Sequence, residues 1–214
     1  MARRAWCVVR RGLLLAVAAV IMIAAAAPAA VPDDPQLGES TLGNLVADAV
    51  RRAGGADLAL VTAVSLSDNA AVPAATPDAA HAALRYPGDL VLVVELTGAQ
   101  IRDALEFGLS QLPRPHKGLL QVSGITVVYD SSKPINQRVA SVTVGRAALV
   151  AEQKYQVAMP SSLARGALGY FRVWSQPAAR DAGVTMADAL LNYLRAGAPA
   201  ARRDGRLRDT ASPG

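Results

Sequence analysis

An α+β fold, with helices packed on a central mixed sheet (a mixed-sheet α/β arrangement), is predicted by three features of the sequence. An amphipathic helix pattern stands early in the chain, another stands near its end, and strand-like segments cluster between them. Glu39–Ala53 carries apolar residues at Leu42, Leu45, Val46, Ala49 and Val50, the spacing of a helix with one buried face, and Gly54-Gly55 ends it. Leu58–Val61 reads as a short buried strand. Ser65–Pro77, rich in Ser, Asp, Asn, Ala and Pro, reads as loop, and Asp78–Leu84 as a short helix. Leu90–Leu96, apolar except for Glu95, is the strongest strand. Gly98–Leu112 follows at helical spacing, with Ile101, Ala104, Leu105 and Leu109 on one face, Thr97 as N-cap and Pro113-Arg114-Pro115 as the stop. Leu119–Val122, Ile125–Tyr129, Val139–Val144 and Tyr155–Ala158 are strand-like, with turns at Asp130–Pro134 and Gly145. A last helix spans Met186–Leu194, where Thr185 and Asp188 are spaced as a capping box.

The first thirty of the 214 residues have a different character. A head containing Arg3, Arg4, Arg10 and Arg11 precedes the apolar run Leu13–Ala27 and the small-residue stretch Ala27-Pro28-Ala29-Ala30, the order expected of a secretory signal peptide over 1–30. The run is short of the roughly 20 residues a spanning helix needs, so membrane attachment is expected only if the segment stays uncleaved. The expected location is secreted or periplasmic. The sequence holds 22 basic and 17 acidic residues; with the four leading arginines removed, 18 face 17. That near-neutral balance gives no electrostatic reason to expect a nucleic-acid partner. The tail cluster Arg202, Arg203, Arg206 and Arg208, interrupted by Asp204 and Asp209, reads as a solvated terminus, with 208–214 as a disordered tail. The only cysteine, Cys7, falls in the leading segment, so no disulfide is expected and stability must come from a packed core in one domain over 36–207.

The wording of several segments is informative. Glu39-Ser40-Thr41-Leu42-Gly43-Asn44-Leu45-Val46-Ala47-Asp48-Ala49 closely resembles the opening helix of the 5'-nucleotidase C-terminal domain. Ala56–Leu60 resembles its first strand, and Val93-Val94-Glu95-Leu96-Thr97-Gly98 its central strand-to-helix junction. Leu120-Gln121-Val122-Ser123-Gly124, Val128-Tyr129-Asp130 and Asp204-Gly205-Arg206-Leu207 are similar too. These segments occur in family order from Gln36 to Leu207. The resemblance implies that the complete enzymes bind nucleotide here and hydrolyse phosphate in a separate N-terminal metallophosphatase domain with two divalent metals. The expected export segment runs almost directly into Glu39, so that domain is not expected in this sequence. His81 and His116, the only histidines, lack ligand spacing to other strong ligands and read as exposed loop residues. No metal or other cofactor is expected in this chain.

The resemblance also implies a binding site: two Phe rings around the base, with Arg, Asn and Asp hydrogen-bonding the ligand. The family's Asn-Gly-Gly-Gly-Ile-Arg stretch corresponds to Thr62-Ala63-Val64-Ser65-Leu66-Ser67, without its glycines and with Ser67 for the arginine. Its Pro-Phe-Gly-Asn corresponds to Tyr86-Pro87-Gly88-Asp89, with Pro87 for the first Phe and Asp89 for the Asn. Pro160-Ser161-Ser162 and Gly166-Ala167-Leu168-Gly169-Tyr170 put Ser162 for the second Phe and Leu168 for the Asp. Gln36 stands where an arginine often precedes the opening helix. A base–aromatic stack is worth about 1–3 kcal/mol and a charge-assisted hydrogen bond roughly 1.5–3 kcal/mol, so these losses remove on the order of 5–10 kcal/mol, the whole depth of a micromolar site.

No G-x-S-x-G elbow, Walker-type loop or G-x-G-x-x-G is present. Asp103 and Glu106 fall on the polar side of their helix and read as an exposed face beside Arg102. Tyr170, Phe171 and Trp174 read as core. The sequence therefore predicts a non-catalytic interaction or accessory module with a degenerate nucleotide pocket and a protein partner. The competing expectation is a nucleotide-binding subunit completed by a separately encoded metallophosphatase.

Overall fold

The computed structural model describes residues 33–68, 71–175 and 177–211; the expected export segment 1–30 lies outside them. The elements are α1 (Thr41–Gly54), β1 (Leu58–Thr62), α2 (Pro77–Ala82), β2 (Leu90–Thr97), α3 (Gly98–Leu109), β3 (Leu120–Ser123), β4 (Ile125–Tyr129), β5 (Val139–Val144), β6 (Ala147–Ala148), β7 (Lys154–Pro160), α4 (Ser161–Ala164), β8 (Ala179–Thr185), α5 (Met186–Arg195) and β9 (Leu207–Asp209).

Period-two alternation divides the side chains of the central strands between two cores. Leu58 and Leu60 of β1, Val94 and Leu96 of β2, and Val157 and Met159 of β7 join one core. Ala59 and Val61, Val91 and Val93, and Ala158 join the other. These strands lie in a five-stranded sheet of order β3-β1-β7-β2-β8, in which β1 and β7 are parallel and the other pairs antiparallel. One face packs on α1, α2 and α5 through Leu45, Val46, Val50, Ala80, Met186 and Leu190. The other packs on α3 and on a four-stranded sheet of order β6-β5-β4-β9. The mixed-sheet α+β class is therefore as the sequence predicts.

Local chemistry sets the helix ends. The Ser40 hydroxyl accepts from Gly43 N at 2.9 Å, and Gly55 closes α1 in the left-handed region at φ 58°. Thr97 and Gln100 form a reciprocal capping box at α3. At α5 the Thr185 hydroxyl accepts from Asp188 N and donates to its carboxylate.

Three expectations need correction. Glu106 is buried, not part of an exposed face: its carboxylate accepts Arg138 N at 3.0 Å and Val139 N at 2.8 Å, tying α3 to the start of β5. The Arg138 guanidinium in turn donates to the carbonyls of Leu109, the last residue of α3, and of Leu112 just beyond it. Secondly, the disordered tail begins too early at 208. Arg208 and Asp209 belong to β9, which runs parallel to β4, and the Asp209 carboxylate accepts from Ser131 N and Oγ. Thirdly, Arg206 is not a solvated tail residue. Its guanidinium donates to both Asp48 oxygens at 2.8 and 3.3 Å, to both Asp204 oxygens at 2.8 Å and to Val122 O at 3.1 Å. Burial lowers the Arg206 pKa, but the bonds and charges of Asp204 and Asp48 outweigh it and raise the group above its ordinary value. The same bond from Arg206 holds the Asp204 carboxyl below its usual range.

Candidate ligand-binding site

The eleven positions expected to form a ligand site fall into four groups. Thr62 and Ser65 are buried at the end of β1, and their hydroxyls bond each other at 2.9 Å, so each satisfies the other. Gln36 and Ser67 line a cavity of about 440 Å³ in front of the first turn of α1. That cavity is also lined by Asp33, Asp34 and Asp68 and by no Arg or Lys. The Asp33 carboxylate accepts Thr41 N at 2.8 Å, Asp34 accepts Gln36 N at 2.8 Å, and Asp68 is paired with Arg85. These three acids lie outside the sequence expectations. Asp33-Asp34 just ahead of an N-cap serine is the signal that could have found them.

The third group surrounds the N-termini of α4 and α5. Tyr86, Pro87 and Asp89 lie on the turn entering β2, and that turn caps α5: Pro87 O accepts Ala187 N at 3.0 Å and Asp89 O accepts Met186 N at 2.7 Å. The Asp89 carboxylate accepts Ser161 Oγ at 2.7 Å and Ser162 N at 3.3 Å. Asn would offer an N–H donor at this point; a carboxylate has none, and both oxygens of Asp89 are already engaged. Ser162 presents no ring. Tyr86 is half exposed.

Gly166, Leu168 and Tyr170 form the fourth group, on the 3₁₀ turn Ala167–Arg172 that follows α4. Gly166 has φ 86°, and a Cβ there would stand 2.7 Å from the backbone of Phe171, so only glycine fits. Leu168 is a non-glycine residue in the left-handed region, at φ 56°, and is 43% exposed. Tyr170 is fully buried: it stacks on Trp174 with centroids 5.3 Å apart, meets Phe107 edge-on, and donates to Gly118 O at 2.7 Å. Burial pushes its phenol pKa well above the ordinary value. The expected aromatic core is thus Tyr170 and Trp174; Phe171 departs from it, 60% exposed with the Arg172 guanidinium over its ring.

His81 is exposed on α2. His116 is half-buried, bonded through Nδ1 to Gly108 O at 2.8 Å and set edge-on to Phe107, so it is held in place by the fold rather than loose in a loop. Among the described residues no group of three or more His, Cys, Asp or Glu is placed to hold a metal ion, and no helix is long and apolar enough to cross a membrane.

The likeness to known proteins agrees with this architecture. The structure superposes on the 5'-nucleotidase precursor of Thermus thermophilus with a TM-score of 0.72 at 28% identity, covering 84% of this chain and 37% of that one. In sequence, the chain is 25% identical over 161 residues to a 5'-nucleotidase of Vibrio parahaemolyticus, which covers 75% of this chain and 28% of that protein. It is 30% identical over 111 residues to a snake venom 5'-nucleotidase of Naja atra, covering 48% of this chain and 21% of that protein. The chain therefore spans only 20% to 28% of the length of the curated relatives it matches. The family profile "5'-nucleotidase, C-terminal domain" matches residues 21–176, most of the sequence, and the chain belongs to that family.

Proposed function

We propose that this chain is a non-catalytic, exported interaction or accessory module, built on a 5'-nucleotidase C-terminal domain whose nucleotide pocket has degenerated. The observation that carries the reading is the lining of the 440 Å³ cavity. At the two positions where the family resemblance expects arginine, Gln36 and Ser67 share that cavity with Asp33, Asp34 and Asp68. A phosphate charge about 6 Å from one such carboxylate is repelled by roughly 1–3 kcal/mol near a protein surface, where an arginine would attract it by a similar amount. The engagement of Asp89 with Ser161 and Ser162 and the absence of a ring at Ser162 point the same way. Export is supported by the order of charge and apolar residues in 1–30 and by the venom origin in the name of one relative.

Calorimetric titration of the purified chain with AMP, adenosine and a UDP-sugar tests the reading. No heat of binding is expected at ligand concentrations up to about 1 mM, which bounds the affinity below about 4 kcal/mol. Micromolar binding of any of the three refutes it, and so does phosphate release from AMP by this chain alone with divalent cations added.

A second reading, a nucleotide-binding subunit completed by a separately encoded metallophosphatase, is favoured by the exposure of the Tyr86 and Phe171 rings, which flank the turn residues described above. Under that reading, mixing the chain with such a metallophosphatase raises its nucleotide turnover, and Tyr86→Ala removes the gain.

A further inference from the structure

Away from the family ligand positions, three adjoining cavities of about 350, 410 and 460 Å³ share Asp48 and Tyr193 and form one groove between the C-terminal half of α1, α5 and the segment leading into β9. Its charged lining is Arg51, Arg52, Arg202 and Arg206 against Asp48 and Asp204, a net charge of +2. Arg206 answers both acids, as described above. That leaves three guanidinium groups, those of Arg51, Arg52 and Arg202, with no carboxylate partner among the described residues.

We propose that this groove is a binding site for a small tetrahedral oxyanion, a phosphate or sulfate group. Arg51 is fixed in direction because its Nε donates to Ser123 Oγ at 2.9 Å, and its two terminal nitrogens have no hydrogen-bond partner among the described residues. Arg52 lies over the Tyr193 ring at 5.9 Å and has no hydrogen-bond partner among the described residues. The Tyr193 hydroxyl has none either, and it sits within electrostatic reach of Asp48, Arg52, Arg206 and Arg51. A planar carboxylate is matched by one guanidinium fork. A tetrahedral oxyanion takes donors arriving from several directions, which two guanidiniums on successive helical residues and a phenol supply.

Both arginines also complement the negative end of α1, but that end is largely satisfied already. Gly55 N and Ala56 N donate to the carbonyls of Arg52 and Arg51, and the Arg180 guanidinium donates to Gly54 O at 2.8 Å.

The test is an amide-resolved NMR titration of the full chain with inorganic phosphate, sulfate and acetate at constant ionic strength. Saturable shifts are expected for phosphate and sulfate, confined to Ala49–Gly55, Ser123–Gly124 and the residues around Tyr193, with acetate at least about tenfold weaker. Arg52→Gln, which removes no hydrogen bond seen in the fold, should weaken phosphate binding by about tenfold or more, and Arg51→Gln similarly. Arg114→Gln, on an exposed loop outside the groove, should leave it unchanged. Non-saturating shifts spread over the surface, acetate binding as tight as phosphate, or full phosphate affinity in folded Arg52→Gln would each overturn the proposal.

Discussion

Gly43→Ala provides a test in which two physical effects predict opposite signs. Helix propensity alone makes alanine better than glycine inside α1 by about 1 kcal/mol. The packing says otherwise. A Cβ at residue 43 would stand 2.2 Å from Gln121 Oε1, 2.5 Å from its Cγ and 2.6 Å from its Cδ. Gln121 is fully buried and cannot simply swing away: its Oε1 accepts Ser40 N at 3.0 Å and Ser40 Oγ at 3.2 Å, while its Nε2 donates to Pro35 O at 3.0 Å and Gly38 O at 2.8 Å. Displacing it breaks four hydrogen bonds at about 0.5–1.5 kcal/mol each, so after the propensity gain the expected net loss is about 1–5 kcal/mol. Urea denaturation followed by circular dichroism measures it, as a lowered midpoint at unchanged slope. A midpoint equal to or above that of the native chain refutes the packing argument. Gln121→Ala in the Gly43→Ala background should be far less than additive, because the two changes disrupt one contact.

Glu106→Ala leaves two buried backbone N–H groups without their acceptor and should cost about 3–5 kcal/mol in the same assay, with Glu106→Gln losing less because one acceptor oxygen remains. Gly166→Ala forces a side chain into φ 86° and against the Phe171 backbone; a loss of about 2–4 kcal/mol is expected, with the near-ultraviolet signal of the Tyr170–Trp174 stack altered. Asp204 has its folded pKa lowered by the bond from Arg206, so its contribution is present above the ordinary carboxylate range and is lost as pH falls through the lower folded value. Denaturation midpoints measured from pH 6 to pH 3 should therefore fall, and fall less in Asp204→Asn.

The elements legible in the sequence are those whose pattern is set by burial. The α1 stripe, the alternation in β2 and the Thr97 and Thr185 caps all appear where the spacing puts them, because apolar periodicity reports which face meets a core. β8 is not legible for the converse reason. Ala179–Thr185 is an edge strand exposed along most of its length, held to β2 by backbone bonds, and Arg180, Asp181 and Gly183 give it the composition of a loop. β9 and Glu106 mislead a reader of the sequence because their neighbours are distant along the chain: β4 pairs with one and the start of β5 engages the other. At the candidate site, the residue substitutions can be read from the sequence, but the acidic lining beside Gln36 and the engagement of Asp89 depend on the approach of three separate loops.

The segments that carry the family resemblance turn out to be physically connected. Glu39 accepts Asn44 Nδ2 at 2.6 Å, Asp204 N at 2.7 Å and Gly205 N at 3.0 Å, so the opening helix holds the closing segment. Arg206 reaches Asp48 and Val122 O; Ser123 donates to Asp48; Gln121 packs against Gly43 and bonds Ser40. Residues 39–48, 121–123 and 204–207 thus form one lash that closes the two ends of the domain over β3. Each member leaves a buried partner unsatisfied if it alone is changed, which makes this set costly to alter. Tyr86, Ser162 and Leu168 stand outside the lash and are at least partly exposed, so they can vary without breaking it. The residues that make the family recognisable and the positions expected to hold the ligand are thus largely different sets, so substitution at the second set need not disturb the first.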